Sequence, residues 1–595
     1  MVVVVSGLRL TFGGGWVYNH DMKKIVICAA LFGALFSARA ELECVSLDGT
    51  WDFTFSPGGR LSAATSDFKA TDKMVVPGCF DLMPKWYAQR GLAHYRRAFA
   101  LGEGAKDAWL VVKGMGLQAK FFIDGREVAV SKLPYSKLEI PLGPLVAGEH
   151  VLVVALDNRL SGSRDLVFKP NYDFFLSGGF YHGVELKLQH AEVELDRVVV
   201  RTRDYKTGTV ELALEAKGAL PASLEAAVSF DGGAAKTVRF ADGRARLAVP
   251  AFKLWSPDSP NLHRVTVAAG ALGSVSARFG IREFAAHDKA LWLNGEKIWL
   301  KGVNRHESDP EDGYATTLPT MLRDVQLMKS IGCNYVRGSH YTQCDDFLSL
   351  CDEAGLMVWE ESLGWGNYGD LDDPGFMAAQ EEQTRLMVKA SINHPSVVIN
   401  GFLNEFGSNM KSGIAIAKLL VDTIRAEDTG HLVTYASSHP TDGICASNLD
   451  FIAFNTYPGW HQDSARASTP ESLNKTIKDR FNSCVKYLRK TYGDDKPIIV
   501  GETGCYSIYG CHDPMAAQWT EEYQSEYLDH WLNIVKASPE IAGFTVWQFC
   551  DARTYFRGGS DIRLKPLAFN LAGLFDRHRN AKMAAATVKR HYTAK

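Results

Sequence analysis

After residue 40 the sequence has no run approaching the roughly 20 consecutive apolar residues that a membrane-spanning helix needs, which excludes a helical span from the body of the chain. It has no C-x-x-C pair, and its eleven cysteines show no Cys/His spacing typical of zinc sites, so neither a structural metal nor a cofactor is expected. It has no excess of one charge: 65 basic residues face 68 acidic ones, a net of −3. Such a surface has no field for drawing in nucleic acid or anionic membranes, and polyanions are excluded as partners. It also lacks low-complexity composition. With 46% apolar and 22% charged residues it reads as a globular chain, and 595 residues correspond to about three to five domains.

What is present begins with a processing segment. From Met22, which reads as the start, the residues MKKIVICAALFGALFSARA give Lys23 and Lys24, an apolar run of about a dozen residues, and the small-x-small trio Ala38, Arg39, Ala40. This is the pattern of a secretory signal peptide, so a secreted or periplasmic protein is expected. Its removal leaves 61 basic against 67 acidic residues and ten cysteines. Export permits disulfides, with Cys505 and Cys511 near enough in sequence to pair, but in so large a chain buried free thiols are expected.

Residues 41–283 are short alternating stretches broken by turns, such as WDFTF (51–55), HVLVVALDN (150–158), VELALEA (210–216) and KFFIDGREVAV (120–130) around its Asp124-Gly125 turn. They predict two antiparallel β-sandwiches, at 41–190 and 191–283. From residue 284 the rhythm changes. Eight apolar runs, at 297–304, 334–340, 356–362, 396–405, 432–438, 451–457, 497–503 and 544–549, alternate with helical patterns. Met515, Trp519, Tyr523, Tyr527 and Trp531 recur every four residues and predict a helix over 515–535 with one apolar face. Eight buried strands, each followed by a helix, over 284–595 predict a (β/α)8 barrel, whose active sites lie at the strand C-termini.

That rule selects Asn304 and His306 after the first run, Arg337 and His340 after the second, Glu360 and Glu361 after the third, and Asn404 and Glu405 after the fourth. Tyr457 follows the sixth, Glu502 the seventh, and Trp547 lies on the eighth. Two glutamates, 405 and 502, about three strands apart on one barrel mouth, suit glycosidic cleavage, which takes one carboxylic acid to protonate the leaving oxygen and one carboxylate to attack the anomeric carbon. The competing reading is a pair of salt-bridged rim carboxylates.

The stretches NYVRGSHYTQCDDFLSLCDEAGLMVWEE (334–361) and INHPSVVINGFLNE (392–405) resemble the two signatures of glycoside hydrolase family 2. LDGTWDF (47–53), YRRAF (95–99), GGFYHGVEL (178–186), LWLNGEKIWLKGVNRHE (291–307) and PIIVGETG (497–504) resemble the same family over essentially the whole chain after the leader. The resemblance implies a sugar-binding jelly roll, an immunoglobulin-like sandwich and a catalytic barrel, with Glu405 as acid/base and Glu502 as nucleophile of a retaining mechanism. It implies that Arg337 keeps Glu502 charged, Asn404 holds the sugar 2-hydroxyl, Trp547 is a sugar platform and Tyr457 sets a hydroxyl near the nucleophile. His306 and His340 contact sugar hydroxyls or orient the acid, or are structural rim residues.

NYDFF (171–175) with Asp173, NTYPGW (455–460) and TEEYQ (520–524) look most like the β-glucuronidase branch, in which Asp173 reaches the sugar from the first sandwich. One departure stands out. The Asn-x-Lys motif that grips a uronate there reads Asn570-Leu571-Ala572 here, without the lysine. Arg553, Arg557, Arg563 and Lys565 lie in the preceding loop, and Arg563 or Lys565 is the candidate replacement. A uronide (glucuronide or galacturonide) and a neutral sugar (galactoside, arabinoside, fucoside) both stay open, as does homo-oligomerisation. The reading from another class is a carbohydrate-binding protein that has lost catalysis.

Overall fold

The computed structural model describes residues 42–594 apart from 161–173, 429, 444, 446–447, 461–468 and 556–564. The predicted signal peptide, Asp173, Arg557 and Arg563 lie outside the described residues.

The first sandwich packs a six-stranded sheet against a four-stranded one, all antiparallel. Its long strands Leu92–Leu101 and Gly148–Asp157 pair along ten residues, and every second residue points inward, so Tyr95, Leu152, Val154 and Leu156 meet Trp51, Phe53, Phe121 and Phe180 in one core. The hairpin Gln118–Ile123 to Arg126–Ser131 turns through Asp124 and Gly125 at φ +49° and +84°, the left-handed pair that a two-residue hairpin requires. The second sandwich runs from strand Glu194–Asp204 to strand Ser274–Phe279, closing on Val198, Leu212, Val265, Val267 and Phe279.

Eight parallel barrel strands follow: Leu300–Arg305, Tyr335–Gly338, Met357–Glu361, Val397–Gly401, the fifth in two pieces (Leu432–Val433 and Ala436–Ser437), Ile452–Asn455, Ile498–Thr503 and Ile541–Val546. The first strand pairs with both the second and the eighth, and the two halves of the fifth pair with the fourth and the sixth, so the sheet closes on itself. Alternation sorts side chains into two layers. Leu300, Tyr335, Met357, Trp359, Ala453 and Ile499 fill the barrel, while Val303, Val336, Val358, Phe454 and Val500 face the helices.

Three expectations are corrected. The first apolar run is two elements: Glu296–Ile298 pairs antiparallel with Ala290–Leu293, and the barrel strand starts only at Leu300. Among the described residues no helix follows the fifth strand; the chain crosses to the sixth through turns. The helix predicted over 515–535 begins at Glu521, capped by Thr520, whose hydroxyl accepts from the Tyr523 N–H. Tyr523, Tyr527 and Trp531 are buried as expected, but Met515 is 84% exposed and Trp519 precedes the helix at φ +78°. All ten described cysteines are free thiols, and no described helix is long and apolar enough to cross a membrane.

Candidate active site

Strand alternation places the first components. On the second strand Tyr335 points into the barrel, Val336 out, and Arg337 in; on the third, Trp359 points in, Glu360 out and Glu361 in. Glu360 therefore leaves the site: its Oε1 accepts from the Gln343 N–H at 3.0 Å, and burial pushes its carboxyl up to about 7. Glu361 stays, with Arg337 Nε donating to it at 2.7 Å.

Glu502 breaks the rule. Ile498 and Val500 face the helices, and strict alternation would send Glu502 after them. Pairing with the eighth strand shifts register between Val500 and Thr503, and pairing with the sixth shifts between Phe454 and Asn455. This irregularity re-aims Glu502 into the mouth and leaves Thr503 to bond Tyr527 on the helix side at 2.7 Å.

The mouth is one hydrogen-bonded net. Arg337 donates to Glu502 Oε1 at 2.5 Å through Nη1, to Asn304 Oδ1 at 3.0 Å through Nη1, and to Asn404 Oδ1 at 2.8 Å through Nη2. The Tyr457 hydroxyl donates to the other Glu502 oxygen at 2.6 Å. Asn455 Nδ2 donates to Glu405 Oε1 at 2.9 Å and to Asn404 Oδ1 at 3.2 Å. The guanidinium also lies 4.6 Å from the Trp359 ring centre. Burial works against its charge, but Glu361 and Glu502 outweigh burial and raise its pKa. His340 is the opposite case: burial first, then the adjacent Arg337, holds it down to about 3, so it is a neutral ring. Its Nδ1 lies 3.0 Å from Glu361 Oε2, and its Nε2 is 3.5 Å from Asn404 Nδ2. His306 is also held neutral, by burial, then His340 and Arg337, and its Nδ1 is 3.2 Å from the Tyr341 hydroxyl.

Glu405 sits half-buried in a turn after the fourth strand with φ +53°, and Leu403 before it has φ +41°. Both are left-handed conformations that side chains avoid, held here by hydrogen bonds from Glu405 N to Ala436 O and from Asn404 N to Gly364 O, each 3.0 Å.

Aromatic rings close the walls. Trp547 stacks on His340 (centres 5.4 Å apart, planes at 10°) and meets His306 edge-on. The first sandwich contributes too: Phe174, the first described residue after Asp173, packs 4.7 Å from His306, and Tyr135 stacks on Tyr341 at 4.2 Å.

Of the residues expected from sequence, Arg337, His340, Asn404, Glu405, Tyr457, Glu502, Trp547 and His306 are therefore brought together. Asn570 is buried near them, in a short strand paired with Ala552–Arg553, and its Oδ1 accepts from the Ala572 N–H at 3.2 Å. Ala572 is fully buried with Trp547 and Tyr506 in an aromatic cluster. Lys565 opens the short turn before Asn570, and burial pulls its ammonium down to about 8. Arg553 is turned away: its guanidinium lies over Phe175 and Tyr87, at 3.9 and 4.4 Å. Asn455, which holds Glu405, was not singled out from sequence, although it is the polar residue ending the sixth strand and the same strand-end rule applies to it.

Residues 284–595 match the family described as Glycosyl hydrolases family 2, TIM barrel domain, and residues 182–282 match Glycosyl hydrolases family 2. The chain is similar to the β-glucuronidase of Canis lupus familiaris, 28% identical over 645 residues covering 97% of this chain and 95% of that protein. It is 27% identical over 619 residues to the β-glucuronidase of Homo sapiens, covering 92% and 91%. It resembles the crystal structure of a GH2 β-galacturonidase from Eisenbergiella tayi bound to galacturonate, with TM-score 0.82 and 27% identity over 94% of this chain and 98% of that one. A Ruminococcus gnavus β-glucuronidase in complex with uronic isofagomine, 21% identical, shares the fold at TM-score 0.83 over 94% and 99% of the two chains. By the barrel match, which spans more than half of its length, the chain belongs to glycosyl hydrolase family 2, as a β-glucuronidase-like glycoside hydrolase.

Proposed function

We propose that the protein is an exported, retaining exo-β-glycosidase in which Glu502 is the nucleophile and Glu405 the acid/base. The observation that carries this is the pair of bonds that hold Glu502, one on each oxygen, across the mouth from Glu405. Glu502 accepts from Arg337 on one oxygen and from Tyr457 on the other, which suits a group that must attack as an anion. Glu405 is held on one oxygen by Asn455, half-exposed toward the same mouth.

In the first step Glu405 gives its proton to the departing oxygen while a Glu502 oxygen bonds the anomeric carbon. In the second, water loses a proton to Glu405 and attacks that carbon, releasing Glu502. Asn404 has its carbonyl oxygen committed to Arg337 and Asn455 and its Nδ2 3.5 Å from His340 Nε2, which leaves the second amide hydrogen for the sugar 2-hydroxyl. With His306 and His340 neutral, neither ring adds a competing cation beside the acid.

The favoured substrate is a β-linked uronide. The similar proteins are named β-glucuronidases and a β-galacturonidase, and Lys565 places a basic group in the loop before Asn570. One observation favours a neutral sugar instead: the side chain at 572 is an alanine methyl packed against Trp547 and Tyr506, which offers a carboxylate no charge from that position. A panel of p-nitrophenyl β-glucuronide, β-galacturonide, β-galactoside, α-L-arabinoside and β-mannoside separates the two. Turnover confined to the neutral sugars overturns the uronide reading, and turnover of none of them by the wild-type protein overturns the enzyme reading in favour of sugar binding alone.

A further inference from the structure

A cleft of about 950 Å³, lined by neither Glu405 nor Glu502, opens between the first sandwich and the barrel. Its lining includes His182, from the end of the first sandwich, and Cys344, from the loop after the second barrel strand. Between them lies the buried carboxylate of Glu307, from the end of the first barrel strand. One donor atom from each of the three lies within 4.8 Å of the others.

We propose that His182, Glu307 and Cys344 bind a zinc ion that clamps the first sandwich to the barrel. An imidazole, a thiolate and a carboxylate make the mixed donor set that zinc takes, whereas magnesium and calcium call for oxygen alone. With zinc bonds of about 2.0 to 2.3 Å, tetrahedral geometry puts N and O about 3.4 Å apart and S and O about 3.6 Å apart. His182 Nε2 stands 3.5 Å from Glu307 Oε2, and Cys344 Sγ stands 4.0 Å from the other carboxylate oxygen, Oε1, so the imidazole and the thiol face one carboxylate from its two oxygens. The carboxylate is already oriented: the Thr316 hydroxyl donates to Oε1. His182 and Cys344 are each partly exposed toward the cleft, which provides an entry path and leaves the fourth position to water. On binding, the Cys344 thiol proton and the proton that His182 Nε2 directs at Glu307 are both released to solvent, so that the thiolate and the bare imidazole nitrogen face the ion. The ligands lie 125 and 37 residues apart on three separate elements, which is why no local Cys/His spacing announces them.

The test uses the full chain, stripped with a chelator and then incubated with Zn2+ or, as a spectroscopic probe, Co2+. The expected result is one tightly held equivalent of zinc after gel filtration, a higher thermal midpoint with zinc than without, and a thiolate-to-Co2+ charge-transfer band. His182→Gln and Cys344→Ser each weaken zinc binding by about 10- to 100-fold or more, while Cys44→Ser, which removes an exposed thiol elsewhere, keeps the full stoichiometry. Retention of less than a tenth of an equivalent by the wild-type chain overturns the proposal without reference to any variant. So does a Co2+ complex with no thiolate band, or unchanged affinity in both ligand variants.

Discussion

Arg337 Nη1 lies 2.5 Å from Glu502 Oε1, joining a guanidinium on the second barrel strand to a carboxylate on the seventh across the barrel mouth. The same guanidinium bonds Glu361, so one cation serves two buried acids. Arg337→Met leaves both carboxylates in a dry site without a counter-charge. A loss of about 3–5 kcal/mol is expected, read as an earlier denaturant midpoint, with hydrolysis near background. Arg337→Lys keeps the charge but cannot reach Glu361, Glu502 and Asn404 together, and kcat/KM drops by about 100-fold.

Glu502→Gln is expected to lower kcat/KM by at least about 10⁴-fold with an unchanged far-UV spectrum and retained sugar binding. Retention of more than a hundredth of wild-type turnover would exclude Glu502 as the nucleophile.

Tyr457→Phe removes only the hydroxyl 2.6 Å from Glu502. The expectation is a fall of about 10- to 100-fold in kcat, with KM changed much less, if the bond positions Glu502 as the proposed nucleophile rather than holding substrate. A change confined to KM would move Tyr457 into the sugar-binding set.

Glu360 gives a stability signature. Its folded-state carboxyl is raised by burial to about 7, from 4.5 in the unfolded chain. Between these values the folded state binds more protons, so stability is full below about pH 4.5 and is lost as pH climbs through 7. Glu360→Gln should be more stable than wild type at pH 8, by up to about 3 kcal/mol, and should lose that advantage at pH 4. Denaturant midpoints across that range check it.

Lys565 tests the uronide reading through pH. Burial lowers its ammonium to about 8, so its charge is present below that pH and fades above it. If it pairs with a sugar carboxylate, kcat/KM for the β-glucuronide falls on going from pH 7 to 9, and Lys565→Ala abolishes that fall while raising KM about tenfold. An identical alkaline limb in wild type and variant would remove Lys565 from the site.

Much of this was readable in the residues themselves. Period-two alternation over NYVRGSH and LMVWEES suffices to aim Arg337 and Glu361 inward and Glu360 outward, because both strands are regular. The Thr520-Glu521-Glu522 cap signal was there to start this helix, but a four-residue apolar spacing drew the expected start six residues too early, onto an exposed Met515. The inward turn of Glu502 was not readable, since it depends on two register shifts against neighbouring strands. Nor was the grip of Asn455 on Glu405, which exists only once the fourth and sixth strands stand around one ring.

The left-handed backbone at Glu405 sets stability and catalysis against each other. Glycine or asparagine would relieve about 1 kcal/mol or more of strain there and remove the proposed proton donor in the same stroke. If Glu405 is the acid, selection for a sturdier protein alone would erase it, and a variant with glycine at this turn should melt later and hydrolyse nothing.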